Sequence, residues 1–279
     1  MPVWASGFES RIPHYDLGFM ITSIQNPLVK LFKKLQTAKH RRELDTLFLE
    51  GNNLIDEAVQ ADRTFEVFCF TESWRDRNPD LYGWGVDRSD RVELVSDEVL
   101  KAMAMTVSPE GVVASCLKRA MSDVAIDSFG LVLDRVQDPG NVGTMIRTAA
   151  GVGVDGLWAS SDSADLDNPK VMRSSAGQWF RLPMMTVNHL PDRLREAQNA
   201  GMQIVTTTMT ATRTLWDVDL TKPTLLVLGN EGAGLSPEIQ ALADVQVSIP
   251  LARGVESLNV AIAAAVVMYE VQRQRSVLR

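Results

Sequence analysis

Residues Ile249–Glu270 read IPLARGVESLNVAIAAAVVMYE, and this stretch predicts strand, loop and helix in turn. Val245–Ile249 is a short strand that Pro250 ends, because proline has no N–H and a fixed φ. A polar loop with Arg253, Gly254, Glu256 and Ser257 follows. Beyond it Leu258, Ile262, Ala265, Val266 and Tyr269 fall on one stripe of helical period. Open α/β sheets bind ligands at the carboxyl ends of their strands, where a helix start also supplies unpaired N–H groups. Ser257-Leu258-Asn259 sits at such a mouth. Taken alone, the stretch is most simply an ordinary loop with an N-cap serine before a core helix. Other stretches have to decide.

Composition bounds the answer. The chain has 279 residues, 45% hydrophobic and 23% charged, which is ordinary for one large or two average globular domains. Its formal net charge is −7, so a nucleic-acid partner has to meet a local basic patch rather than the whole surface. Cys69 and Cys116 form no CxxC, and His14, His40 and His189 lie far apart, so no metal is expected. No basic segment followed by an apolar run opens the chain, and the longest apolar run is too short to span a bilayer, which predicts a cytoplasmic protein.

Residues 1–20 mix proline, glycine and aromatics without periodicity and are expected to be a disordered extension. Residues 21–121 then alternate short strands and helices, as a small α/β domain does. Within them Lys30, Lys33, Lys34, Lys39, Arg41 and Arg42 place six basic residues in thirteen positions, opposite the apolar face Leu28, Leu31, Phe32 and Leu35. Because the cluster opposes the sign of the chain, it is a candidate RNA-phosphate surface; a plain solvated helix face is the alternative. Trp74–Arg91, with Asn78-Pro79 and Gly83-Trp84-Gly85, reads as loop-rich, and Ser96 as the cap of a short helix from Asp97. The weakly patterned Met121–Ser128 marks a boundary.

Residues 128–279 form the second domain. It opens with Gly130–Asp134, an apolar strand of the fully buried parallel type. The helix after Gln137–Asn141 carries Val142, Met145, Ile146 and Ala149 on one face, with Gly143, Thr144, Arg147 and Thr148 on the other. Gly151, Gly153 and Gly156 fit a dinucleotide fingerprint literally, but they end a helix instead of opening one, so they serve as stop and turn. Ser236-Pro237 reads as a cap with proline at the first helical position. Three polar loops remain, each after an apolar strand: Asp138–Arg147, Gly229–Gly234 and Leu251–Asn259. Together they look like a binding site.

Asn141-x-Gly143-x-x-x-Arg147-x-Ala149, Leu228-Gly229-Asn230-Glu231-x-x-Gly234 and Ile249-Pro250-Leu251 through Ser257-Leu258-Asn259-Val260 resemble, in order, the three motifs of the SpoU (TrmH-like) branch of the SPOUT RNA methyltransferases. Phe48-Leu49-Glu50-Gly51 and Ser108-Pro109-Glu110-Gly111-Val112 carry a weaker likeness to that family's L30e-like α/β substrate-binding domain. Ala261 and Leu251 depart from the commoner serine and methionine but keep the size class. The resemblance implies a C-terminal parallel-sheet domain with a trefoil knot, its last helix threaded through a loop, and an obligate homodimer. It implies S-adenosylmethionine held by main-chain groups near Leu228, Gly229, Ile249, Leu251 and Leu258. It also implies a reacting site of Asn141, Arg147, Glu231, Ser257 and Asn259, with Arg147 facing the partner's cofactor. The implied reaction is methyl transfer to a ribose 2′-OH, of ribosomal RNA first and transfer RNA second. A non-catalytic RNA-binding or ribosome-assembly factor on the same fold is the reading from another class. Arginine, with its pKa above about 12, is better suited to stabilising an alkoxide and gripping a phosphate than to acting as base.

Overall fold

The computed structural model describes residues 19–118 and 123–276, which fall into two compact units dividing between residues 118 and 119. Most of the expected extension and part of the expected boundary segment lie outside the described residues. Among the described residues no helix is long and apolar enough to cross a membrane.

The first unit comprises α1 (Pro27–Leu35), α2 (Ala38–Leu44), β1 (Thr46–Glu50), α3 (Asn52–Gln60), β2 (Val67–Phe70), α4 (Glu72–Arg77), α5 (Pro79–Asp87), β3 (Val92–Leu94), α6 (Asp97–Met103) and β4 (Val112–Leu117). Its sheet has the order β1-β4-β2-β3, with β4 antiparallel to both neighbours and β3 parallel to β2. Asn26 caps α1 by accepting from the Leu28 N–H, Pro27 takes the first helical position, and Leu28, Val29, Phe32 and Leu35 turn inward. Lys30, Lys33 and Lys34 are left outside. Ser96 caps α6 as expected, accepting from the Val99 N–H.

Trp74–Arg91 is not loop. It holds most of α4 and all of α5, hinged at Asn78-Pro79. The glycines misled the reading: a Cβ on Gly85 would lie 2.6 Å from the Phe68 ring, so this glycine permits close helix-to-strand approach within a helix. The phrases around Glu50 and Glu110 meet in space. The buried Glu50 carboxylate accepts the main-chain N–H groups of Met105 (2.9 Å) and Thr106 (3.0 Å), and Glu110 accepts that of Asn52.

The second unit comprises β5 (Phe129–Asp134), α7 (Pro139–Val152), β6 (Gly156–Ser160), α8 (Pro169–Ser174), β7 (Met184–Val187), α9 (Leu190–Asn199), β8 (Gln203–Thr207), β9 (Arg213–Thr214), β10 (Thr224–Gly229), α10 (Pro237–Ala241), β11 (Val245–Ser248) and α11 (Val260–Ser276). The strands form one parallel seven-stranded sheet, order β7-β6-β5-β10-β8-β11-β9. The chain winds outward from β5 to β7, then crosses to the other half of the sheet. This reversal puts a topological switch between β5 and β10. Side chains alternate across the sheet: Leu131 and Leu133 join the core under α7, α8 and α11, whereas Val132 joins that under α9 and α10.

Three expectations change here. The buried face of α11 is Ala261, Ala264, Val267, Met268 and Val271, not the expected stripe, and Ile262 and Tyr269 are exposed. Gly143 faces inward against α8, where a Cβ would meet Ser174 Oγ at 1.9 Å. Ser236 stands at the N-cap of α10 but makes no side-chain cap bond. Its N–H goes instead to buried Asp134, 2.7 Å away.

Candidate active site at the strand ends

Each polar loop starts where a buried strand ends. Asp138 caps α7, its carboxylate accepting from the Asn141 N–H at 2.9 Å. That bond, against some desolvation and with help from Lys170 3.7 Å away, holds the Asp138 carboxyl below its ordinary range. After β10 the chain closes a small ring: the Asn230 N–H donates to the Gly234 carbonyl, the Gly234 N–H donates back, both at 3.0 Å, and Asn230 Oδ1 accepts from Gly232 and Ala233. Gly229 is required there, because a Cβ would come within 2.4 Å of the Gly234 backbone. After β11, residues 249–259 run irregularly to α11, whose cap is Asn259 and not Ser257. Asn259 Oδ1 accepts from Ala261 (2.9 Å) and Ile262 (3.4 Å), so these N–H groups are not left for a ligand.

One hydrogen-bonded chain joins the three loops. Asn259 Nδ2 donates to Asn141 Oδ1 (3.0 Å), and Asn141 Nδ2 donates to Glu231 Oε1 (3.0 Å). The N–H groups of Asp138 and Gln137 also donate to the Glu231 carboxylate, at 3.3 and 3.4 Å. Partial burial pushes the Glu231 carboxyl up; the Asn141 amide and the main-chain donors outweigh it and leave the pKa below its ordinary value.

Beside this rim lies a cleft of about 560 Å³. Gly229, Ile249, Leu251 and Leu258 line it as expected, as do Glu231, Ser257 and Asn259. The main-chain groups of Leu251 and Leu258 are not hydrogen-bonded to any described residue. Leu228 does not line the cleft; its side chain is sealed in the core. Asn141 reaches the cleft only through Glu231 and Asn259. Arg147 does not join this constellation: it is exposed on α7, and its side chain has no ion pair or hydrogen bond among the described residues. Thr207, Thr208 and Met209 also line the cleft and escaped the sequence reading. Part of their signal was available, since they stand at and just after the end of the strand β8; that β8 lies beside β10 shows only in the structure.

In the first unit, Lys30, Lys33, Lys34, Lys39 and Arg42 are exposed, with Lys39 3.8 Å from Glu43. Arg41 is a correction. It is buried, and its guanidinium donates to the Leu35 carbonyl at 2.9 Å, joining α2 to the end of α1 rather than facing solvent.

A parallel sheet whose strand-end loops wall a half-polar cleft, beside a carboxylate held by the Asn141 amide and two main-chain N–H groups, defines an α/β enzyme domain of the open-sheet class. Residues 128–269 match the SpoU rRNA Methylase family, and residues 26–114 match the MRM3-like substrate binding domain. The chain belongs to the SpoU rRNA methylase family. It is 45% identical to an uncharacterized tRNA/rRNA methyltransferase of Synechocystis sp., over 91% of this chain and 94% of that one. It is 31% identical to the 23S rRNA (guanosine(2553)-2′-O)-methyltransferase RlmP of Bacillus subtilis, over 90% and 98%. Among solved structures it resembles the AdoMet-bound rRNA methyltransferase of Sinorhizobium meliloti, with TM-score 0.80, 29% identity and coverage of 91% and 97%. It likewise resembles the SpoU methyltransferase AviRb of Streptomyces viridochromogenes in complex with AdoMet, with TM-score 0.78, 31% identity and coverage of 90% and 99%.

Proposed function

We propose that this chain is an S-adenosylmethionine-dependent RNA 2′-O-ribose methyltransferase acting on ribosomal RNA in the cytoplasm. The observation that carries the reading is the Glu231–Asn141–Asn259 chain, which ties the three motif loops into one rim beside the cleft. The residues fit the donor. The cleft lies within the range of about 300–1,000 Å³ usual for small-molecule sites. Ile249, Leu251 and Leu258 offer apolar surface for a flat ring, and the unpaired main chain of Leu251 and Leu258 offers partners for its edge. The polar ring Gly229–Gly234, which also lines the cleft, would hold the donor's charged end. When bound, the donor supplies an activated sulfonium methyl group.

This chain's residues then have to align a 2′-oxygen and ease the loss of its proton. The Asn141 amide and the main-chain N–H groups of Gln137 and Asp138 keep the Glu231 carboxylate ionised and fixed at the rim, and Asn259 holds Asn141 in place. The Arg147 guanidinium stabilises the developing alkoxide and grips the adjacent phosphate in a bidentate fashion. The Arg147 side chain finds no partner among the described residues, and Ile262 and Tyr269 are exposed on α11, which packs on α7. Both features fit a homodimer in which Arg147 reaches the partner's cleft. The return of α11 from β11, far across the sheet, to α7 beside β5 and β6 fits the threaded helix of a trefoil knot. The exposed lysines of α1, with Lys39 and Arg42, are the RNA-phosphate surface of the first unit.

The test is transfer of labelled methyl from S-adenosylmethionine to separated large-subunit rRNA, small-subunit rRNA and tRNA from cells lacking this protein. Alkali-stable label is expected in an rRNA fraction, lowered about 100-fold or more by Arg147→Ala. Arg147→Lys separates charge from bidentate grip, and near-normal turnover would remove the grip from the mechanism. Label confined to tRNA would reassign the substrate. Donor binding without transfer to any fraction would leave a non-catalytic RNA-binding factor.

A further inference from the structure

We propose that Asp134-Arg135, at the end of β5, is a clip that sets the polar wall of the cleft, with Arg135 a positioning residue for donor binding. This rests on reading the cleft as the donor site. Arg135 has φ +58°, a left-handed conformation that costs a side-chain-bearing residue free energy and favours glycine or asparagine. Around it the main-chain N–H, the carbonyl and one guanidinium nitrogen are each hydrogen-bonded. Its N–H donates to Ser160 Oγ at the end of β6 (2.9 Å). Its carbonyl accepts from Asn230 Nδ2 (3.0 Å), and its Nη2 donates to the Gly234 carbonyl (3.3 Å). Its Nε lies 3.4 Å from Asp134 Oδ1 and has no hydrogen bond among the described residues. The other oxygen of buried Asp134 accepts from the Ser236 N–H.

Two adjacent residues therefore hold the 229–236 segment at three points: Asn230, Gly234 and Ser236. The ring fixes its own shape through the reciprocal Asn230–Gly234 bonds. It is placed relative to β5 by the ladder that ends at the Gly229–Asp134 pair, by the bonds of Glu231 to Gln137 and Asp138, and by the clip. Among the described residues the clip alone holds Asn230, Gly234 and Ser236 to the end of β5. Between the held points lies Glu231, which has to meet Asn141 across the strand gap. A guanidinium is suited to the task, because it carries several N–H donors on a planar fork and cannot lose its charge.

The conformational and the clipping roles make opposite forecasts for Arg135→Gly. Glycine adopts this φ more easily and keeps both backbone bonds, so it removes only the guanidinium. If Arg135 merely occupies a turn, the variant is as stable as wild type and binds S-adenosylmethionine equally well. If Arg135 is a clip, the variant is as stable but binds the donor about tenfold more weakly, the order of one charge-assisted hydrogen bond.

The experiment is calorimetric titration of the full chain with S-adenosylmethionine, with the thermal midpoint and amide exchange measured on the same preparations. Arg135→Gly is expected to keep the midpoint, raise the donor Kd and the donor KM together, and leave kcat at saturating donor within about threefold, as for lost ground-state positioning. Amide exchange is expected to quicken at 231–235 and not in the core strands. Arg135→Lys, which keeps the charge and loses the fork, is expected to bind weakly as well. A donor Kd within twofold of wild type in folded Arg135→Gly overturns the proposal. A variant that does not fold overturns it too, by making Arg135 a residue of the fold. Failure of the wild type to bind the donor sinks the underlying reading instead, a result distinguishable from either.

Discussion

Gly143 shows how narrow the tolerances of the site are. A methyl group there would lie 1.9 Å from Ser174 Oγ and 2.5 Å from the Val171 carbonyl, both on α8. Gly143→Ala is expected to cost about 1–3 kcal/mol in denaturant unfolding, as overpacking does; an unchanged midpoint would mean that α8 yields freely. Gly229→Ala is a sharper case, since the obstacle is the backbone of its own ring, and donor binding should fall with stability. Glu231 gives the pH behaviour. Its folded pKa is depressed, so its small contribution is present above the unfolded value and is lost as pH falls through the depressed one. Carboxyl carbon NMR should place its midpoint below the ordinary 4.5 in wild type, and higher in Asn141→Ala, where burial acts with less opposition. No movement would mean that the Asn141 bond does not form in solution. The three loops were legible in the sequence because each follows an apolar strand, whereas Asn141, Glu231 and Asn259 within them were singled out by the resemblance of those loops to the family's motifs. Arg135 was not, because a positive φ and a contact 99 residues away leave no local trace.

Among the elements, α11 was the least legible. Its sequence VAIAAAVV is apolar on every side, so period alone cannot choose the inward face, and the expected stripe turned out to be partly exposed. The helix packs on α7 with Ala261, Ala264, Val267, Met268 and Val271 inward, and Ile262 and Tyr269 are left outward. Helix α5 failed for a related reason, since Gly85, a glycine at a close approach, looks in sequence like glycine at a turn. The parallel strands were easy, because burial on both faces writes a continuous apolar run. On the homodimer reading, Ile262→Asp with Tyr269→Asp is expected to shift the protein to monomer in light scattering while the far-ultraviolet spectrum is kept. A dimer that persists would take the outer face of α11 out of the interface. Asn259→Ala removes the helix cap and should cost about 1 kcal/mol, besides loosening the rim.

At the scale of the whole molecule the governing fact is charge. A chain of net −7 meets a polyanion only where its cations are gathered, and α1 and α2 gather them. Replacing Lys30, Lys33 and Lys34 by glutamine is expected to weaken RNA binding and to lower the slope of log affinity against log salt by about two to three. An unchanged slope would remove the patch from the interface. Arg41→Gln is expected to act differently, lowering stability, because that guanidinium is spent on the Leu35 carbonyl. The far end of α11 carries a consequence of another kind. Arg275 donates to Ser128 Oγ and to the carbonyls of Ser128, Leu220 and Lys222, so the close of the unit is stitched to its opening across 147 residues. The catalytic unit is therefore indivisible: a fragment cut before residue 260 would hold every strand and most of the cleft wall, yet neither the helix that backs them nor the stitch that closes the circuit. Parts of this enzyme cannot be traded piecemeal with those of its relatives; recombination has to exchange the circuit whole.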